Sequence, residues 1–161
     1  TLKKEAIEKG GVEIEDPFIR NQKLIRLKGS ERIRRAVDTI KALKHISGGA
    51  MQTDNMGDVT PKFIILATTN TGNHPFSHVA STTGIRDGIA RLNVNGIEEV
   101  IKDYRETIIG KVYIGKRSGF WDDENESLNV LAEKHKDLIV LGTVNEVIDA
   151  YCEQIKKQLE E

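Results

Sequence analysis

A single cysteine, Cys152, stands in a chain of 161 residues, so no internal disulfide and no thiolate metal cage can form. That usage points to a reducing compartment, and a cytoplasmic location is expected. Aromatic residues make up only 5% of the chain, with one Trp, three Tyr and four Phe, so base stacking cannot dominate any nucleic-acid binding it performs. Long apolar runs are missing as well. The longest, Phe63 to Ala67 and Leu138 to Leu141, fall far short of the ~20 residues a membrane helix needs, and no membrane partner is expected. The start, Thr1-Leu2-Lys3-Lys4-Glu5, has no apolar stretch behind a basic beginning and so is not a secretory signal. It also lacks Met, which suggests a trimmed or truncated chain. Neither a repeat of 20 to 50 residues nor a low-complexity tract is present. What remains is ordinary globular material: 38% hydrophobic residues in 18.0 kDa, enough for one domain, 1–161, that buries roughly two thirds of its unfolded surface.

Net charge is −1, but it is unevenly distributed. From Arg20 to Lys44 nine basic residues (Arg20, Lys23, Arg26, Lys28, Arg32, Arg34, Arg35, Lys41, Lys44) face only Glu31 and Asp38. From Trp121 to Glu161 eleven acids face four lysines. One face should therefore attract anions and another should only be solvated. The plainer reading of both runs is mixed, solvated helix surface.

Periodicity places the elements. Residues 1–29 show weak periodicity and are expected to form an irregular or partly helical arm. Ser30 reads as an N-cap, and Ile33, Val37, Ile40 and Leu43 repeat at helical spacing until Gly48-Gly49. A loop over 50–58 precedes the apolar run Phe63-Ile64-Ile65-Leu66-Ala67, which reads as a buried strand. After a turn-rich stretch from Asn70 to Gly84, a strand near 87–94 is expected beside it. Asn95 with Glu98 reads as the cap of a helix carrying Ile97, Val100, Ile101, Tyr104 and Ile108. A strand over 111–116, a short helix around Leu128 and Leu131 and a strand over 138–141 follow. Thr143-Val144-Asn145-Glu146 is a capping box opening a long last helix. The class is α+β: a ferredoxin-like, RRM-like palm, βαββαβ without its first strand, over 30–120, and an α-β-α extension over 121–161. The alternative is a doubly wound α/β sheet built from 87–159.

Several residues invite a chemical reading. Gly48-Gly49 lacks the Gly-Lys-Ser/Thr of a P-loop and follows a helix C-terminus, so it reads first as a C-cap and second as a tight turn that sets Gln52 near a ligand. His74 and His78 are separated by Pro75 and cannot share a helical face as zinc-binding histidines do; Asp54 and Asp58 add carboxylates, but no metal site is expected. His45 and His135 suit helix ends. Ser47, Ser77 and Ser81 have no nucleophile-elbow context, and Cys152 looks structural, so no catalytic residues and no cofactor are expected. Tyr113 sits on a candidate strand, whereas Phe120-Trp121 before Asp122-Asp123-Glu124 reads as a packing anchor at a helix entrance.

Three stretches, Ser47-Gly48-Gly49-Ala50-Met51-Gln52, Gly57-Asp58-Val59-Thr60-Pro61-Lys62-Phe63-Ile64-Ile65-Leu66-Ala67 and Gly72-Asn73-His74-Pro75-Phe76, resemble the DevR-like CRISPR-associated family. Asp103-Tyr104 with Val112-Tyr113-Ile114-Gly115-Lys116-Arg117-Ser118-Gly119-Phe120 looks like a C-terminal part of that family. Members form the repeated backbone subunit of type I surveillance complexes. The resemblance implies a palm with a helical insertion and a thumb, polymerised along a guide RNA (crRNA). It also implies copies of the same chain and other CRISPR effector subunits as partners, and target DNA reached through the guide. Members begin with a strand that does not precede Thr1, so a fragment lacking it is expected. RNA is then expected at Lys23, Arg26, Lys28, Arg34, Arg35, Lys41, Lys44, Gly48, Gly49, Gln52, Asn73 and His74, by sequence-independent phosphate contact. The other readings are a self-associating protein-interaction module and a small α/β enzyme. The second is disfavoured because no strand-to-helix turn carries a GxGxxG or GxSxG pattern.

Overall fold

A computed structural model describes residues 2–46, 59–82 and 88–160. The chain is mixed α+β, with five α-helices and three small sheets among the described residues. The chain divides into two compact units: Thr1–Ala42 with Cys152–Glu161, and Leu43–Tyr151. Among the described residues no helix is long and apolar enough to cross a membrane.

The first unit opens with α1 (Leu2–Glu8), which closes in a Schellman turn. Gly10 N–H donates to Ile7 O (2.8 Å) and Gly11 N–H to Ala6 O (2.8 Å), with Gly10 at φ 81°. Strands β1 (Val12–Glu15) and β2 (Lys23–Arg26) then form an antiparallel ribbon, from Val12 opposite Arg26 to Glu15 opposite Lys23. The expected irregular arm is thus a helix and a hairpin. Its alternation is faint because most of the ribbon faces water, and pairing rather than burial defines the strands. Helix α2 (Gly29–Ala42) follows, with a 3-10 turn over Leu43–His45. Ser30 lies inside its first turn rather than capping it, since Lys28 O already accepts from Arg32 N–H (3.1 Å). Of the apolar stripe Val37 is buried while Ile33 and Ile40 are half-covered; buried Cys152 Sγ reaches Val37 O at 3.9 Å. The expected stop at Gly48-Gly49 lies outside the described residues.

The second unit is built on a three-stranded sheet, order β3-β6-β7, of β3 (Phe63–Thr69), β6 (Ile108–Lys116) and β7 (Ile139–Gly142). A separate two-stranded ribbon joins β4 (Ala80–Thr82) to β5 (Ala90–Leu92). The strand expected near 87–94 is therefore β5, and its neighbour is β4, not β3. β3 pairs antiparallel with β6 instead. Between the Leu66–Tyr113 and Thr68–Ile109 pairs, β6 inserts Gly110, Lys111 and Val112 opposite Ala67 alone. Gly110 at φ 76° makes this bulge possible and lets β6 start at Ile108, earlier than expected. β6 and β7 are parallel, linked through α4 (Asn125–Lys134). With β3 antiparallel and β5 outside the sheet, the doubly wound alternative is not what forms.

Alternation along β6 divides the core. Val112 and Ile114 belong to the cluster with Ile97 and Ile101 of α3 (Val94–Asp103) and Leu128 and Leu131 of α4. Tyr113 and Gly115 point the other way, against α5 (Val144–Glu160): Tyr113 meets Tyr151 edge-on at 5.5 Å, and Val144 and Val147 close over Gly115. Helix α3 is capped by Asn93, whose Oδ1 accepts from Gly96 N–H (2.9 Å), not by Asn95. The capping box of α5 forms as spaced, with Glu146 Oε2 accepting from Thr143 N–H (2.9 Å) and Oγ1 (2.8 Å). Trp121 is a packing anchor: its ring meets Phe63 at 5.2 Å and Nε1 donates to Ala90 O (2.7 Å).

Candidate nucleic-acid interface

Six of the expected RNA-contacting residues, Lys23, Arg26, Lys28, Arg34, Arg35 and Lys41, fall in the first unit. Their availability differs. Arg26 and Lys28, at the junction of β2 and α2, are exposed and make no ion pair among the described residues; the same holds for Arg20 and Arg32. Lys23 is paired across the ribbon with Glu13 (2.7 Å). Arg34 forms a two-pronged contact with Glu31 (2.8 and 3.0 Å) and reaches Asp38 (2.8 Å), while Arg35 also binds Glu31 (2.9 Å). The two guanidiniums hold Glu31 at a pKa of about 2, far below the usual carboxylate range. This locally neutralised net was readable in the spacing, because Glu31, Arg34, Arg35 and Asp38 stand three and four apart on a helix. Lys41 is half-buried in a groove of about 580 Å³ beside Ile33, Val37 and Lys156.

Three more candidates lie in the second unit. Lys44 is largely covered, its side chain 15% exposed and paired with Asp149, so it serves the fold. Asn73 and His74 are exposed on a segment tethered by buried Phe76 and Val79. Gly48, Gly49 and Gln52 lie outside the described residues, as do Asp54 and Asp58. Tyr113 is buried against Tyr151 and offers no face for stacking. His135 stands at the end of α4, its Nε2 3.1 Å from Glu98 Oε1.

An exposed aromatic group lies in a place that composition did not single out. Phe18 at the tip of the β1–β2 hairpin is 94% exposed, and Ile19 beside it is 55% exposed. The tip is held by Asp16, whose Oδ1 accepts from Phe18 N–H (2.8 Å) and Ile19 N–H (3.0 Å), and by Asn21 in the left-handed region at φ 64°. The available signal was Asp16-Pro17 followed by Asn21 between two short alternating runs, a turn that carries an aromatic residue between Glu13 and Arg20.

The second unit also has a cleft of about 660 Å³ at the carboxyl ends of β6 and β7, where parallel strands commonly hold ligands. Three of its charged groups, Lys116, Asp122 and Glu146, are engaged within the fold. Lys116 donates to Phe120 O (2.8 Å) and pairs with Asp122, and Glu146 is used by the Thr143 cap. These contacts brace the 116–122 turn and the start of α5. Among the described residues no three His, Cys, Asp or Glu side chains converge in a way that could hold a metal ion. Comparison with protein-family models, with curated proteins and with solved structures returns no match to this chain.

Proposed function

We propose that the chain is a non-catalytic RNA-binding subunit, a part of the repeated guide-RNA-binding backbone of a CRISPR surveillance complex. The observation that carries this reading is the pairing state of the basic stretch: Arg20, Arg26, Lys28 and Arg32 are exposed and make no ion pair among the described residues, in the same unit as the exposed Phe18 tip. Exposed cations attract a phosphate backbone without reading its sequence, and an exposed aromatic side chain on a hydrogen-bonded turn can stack on any base. Family membership rests on the resemblance of residues 47–76 and 103–120. For the ferredoxin-like palm, the supporting feature is α3 packed on one face of β6; the direct β3–β6 pairing departs from that palm's strand order, in which the second and fourth strands are not neighbours.

The test is binding of unrelated single-stranded RNAs of equal length, followed by fluorescence anisotropy at 50–300 mM salt. Similar affinities are expected, with the RNA left uncut in the presence of divalent metal. Replacing Arg26, Lys28 and Arg32 by Gln should make the plot of log affinity against log salt shallower by ~0.7 per lost phosphate contact. Phe18→Ala should weaken binding without altering that slope. An unchanged slope in the triple variant, with normal melting, would leave the basic surface merely solvated and favour the self-associating module.

A further inference from the structure

The second unit contains a cationic cleft that the function above does not use. The cleft, of about 480 Å³, lies where the turn after α3 meets the turn after α4, and Lys102, Arg105, Lys134, His135 and Lys136 line it over an apolar floor of Ile101 and Leu138. Asp137 is the one acid on its wall. A second, Glu98, sits beside it, and a single oxygen, Oε1, takes Lys134 Nζ (2.7 Å), Lys102 Nζ (2.8 Å) and His135 Nε2 (3.1 Å). That carboxylate gathers three donors from two helices and can neutralise one of them. Arg105 and Lys136 make no ion pair among the described residues. Even with His135 neutral, four permanent cations face two acids, a local surplus of about two charges, although Lys134 and Lys136 come from the acidic 121–161 stretch. Helix C-termini account for Lys102 and Lys134, which lie in the last turns of α3 and α4. They do not account for Arg105 and Lys136, which stand beyond the helix ends.

We propose that this cleft is a phosphate-binding site for the backbone of a polynucleotide, with Arg105 and Lys136 as the direct contacts and Glu98 as the group that holds Lys102, Lys134 and His135 in place. A phosphodiester carries one negative charge and acceptor oxygens on every side, which suits a guanidinium and an ammonium lining one cleft over an apolar floor. The site is independent of the basic residues of the first unit.

The experiment compares the full chain with its Arg105→Gln/Lys136→Gln variant, using a fluorescein-labelled 20-nucleotide RNA and the same strand as duplex DNA. Two lost contacts should flatten the salt slope for single strands by ~1.4, which is about 25-fold weaker binding at 0.1 M salt relative to a 1 M reference. The loss should persist when Arg26, Lys28 and Arg32 are already Gln, which separates this site from the first unit's surface. Inorganic pyrophosphate should compete only at far higher concentration than RNA. Unchanged affinity and slope in a variant of normal melting temperature would overturn the proposal, as would pyrophosphate competing as well as RNA, which would mark a site for small phosphates. Binding lost solely through the first-unit residues would leave the proposed function standing and this site refuted.

Discussion

Gly115 is the position at which one methyl group tests the packing of the second unit. A Cβ built there would overlap Val147 Cγ2 and stand 2.9 Å from both Ile64 Cγ2 and Val144 Cα. Two of these are side-chain ends, but Val144 Cα is backbone at the first turn of α5, so relief requires moving the helix start off the sheet. Overpacking of this kind costs ~1–3 kcal/mol, and the backbone contact places Gly115→Ala in the upper half of that range. Against it stands a gain of about 0.5–1 kcal/mol from the lower entropy of the unfolded Ala chain, since Gly115 has no positive φ to protect. The net loss is about 1–2.5 kcal/mol, or a fall in Tm of roughly 2–10 °C for a chain of this length. Gly29→Ala is the matched control. Nothing lies within 4 Å of its Cβ at the start of α2, so the same chemical change should raise stability by about 0.4–1 kcal/mol. Thermal melts followed by circular dichroism, with emission of the single Trp121 reporting on the second unit, read both signs. Equal effects at the two glycines would refute the close seating of α5 on β6.

The acid limb of stability should respond to Glu98, whose carboxyl is held at about 2 by hydrogen bonds from Lys102, Lys134 and His135. A depressed folded pKa contributes stability that is complete above the unfolded value near 4.5 and is lost as pH falls toward 2, so Glu98→Gln should flatten the Tm profile across that window and leave its shape above pH 5 unchanged. A variant whose profile still falls as steeply would place the acid transition elsewhere, at Glu31 for instance, which titrates in the same range. Cys152 is fully buried in α5, so a thiol reagent such as Ellman's should label the native chain only at the rate at which the helix opens, and at once in denaturant. Rapid stoichiometric labelling under native conditions would show that the contact with Val37 does not persist.

What sequence alone determined here is local. Helix α2 follows from Ile33, Val37 and Ile40 at helical spacing, the start of α5 from Thr143 and Glu146 three residues apart, β3 from five consecutive apolar residues, and the anchoring role of Trp121 from its place before an acidic helix entrance. For the helix stripe and the cap the interacting groups lie within about four residues of one another, and for β3 the apolar run is continuous, so the pattern and its cause coincide; Trp121 shows its role in the sequence, but its partners, Phe63 and Ala90, lie far away along the chain. Tertiary structure decided the rest. That β3 pairs with β6 rather than β5 cannot be read from alternation, because a strand's period of two is satisfied by any neighbour with a matching face. The register further depends on a bulge at Gly110, where a left-handed residue is needed, and glycine alone does not announce its φ. The same limit applied to charge. Counting made Arg20 to Lys44 a uniform basic stretch, yet folding engages Lys44 with Asp149, more than a hundred residues away in sequence, spends Arg34 and Arg35 on Glu31, and gives Arg26, Lys28 and Arg32 no ion pair among the described residues. It also gathers Lys102 and Lys134 around Glu98 in a region that the count made acidic or neutral. A net charge is additive along a chain, but the field a ligand meets depends on which opposite charges the fold has brought within hydrogen-bond reach.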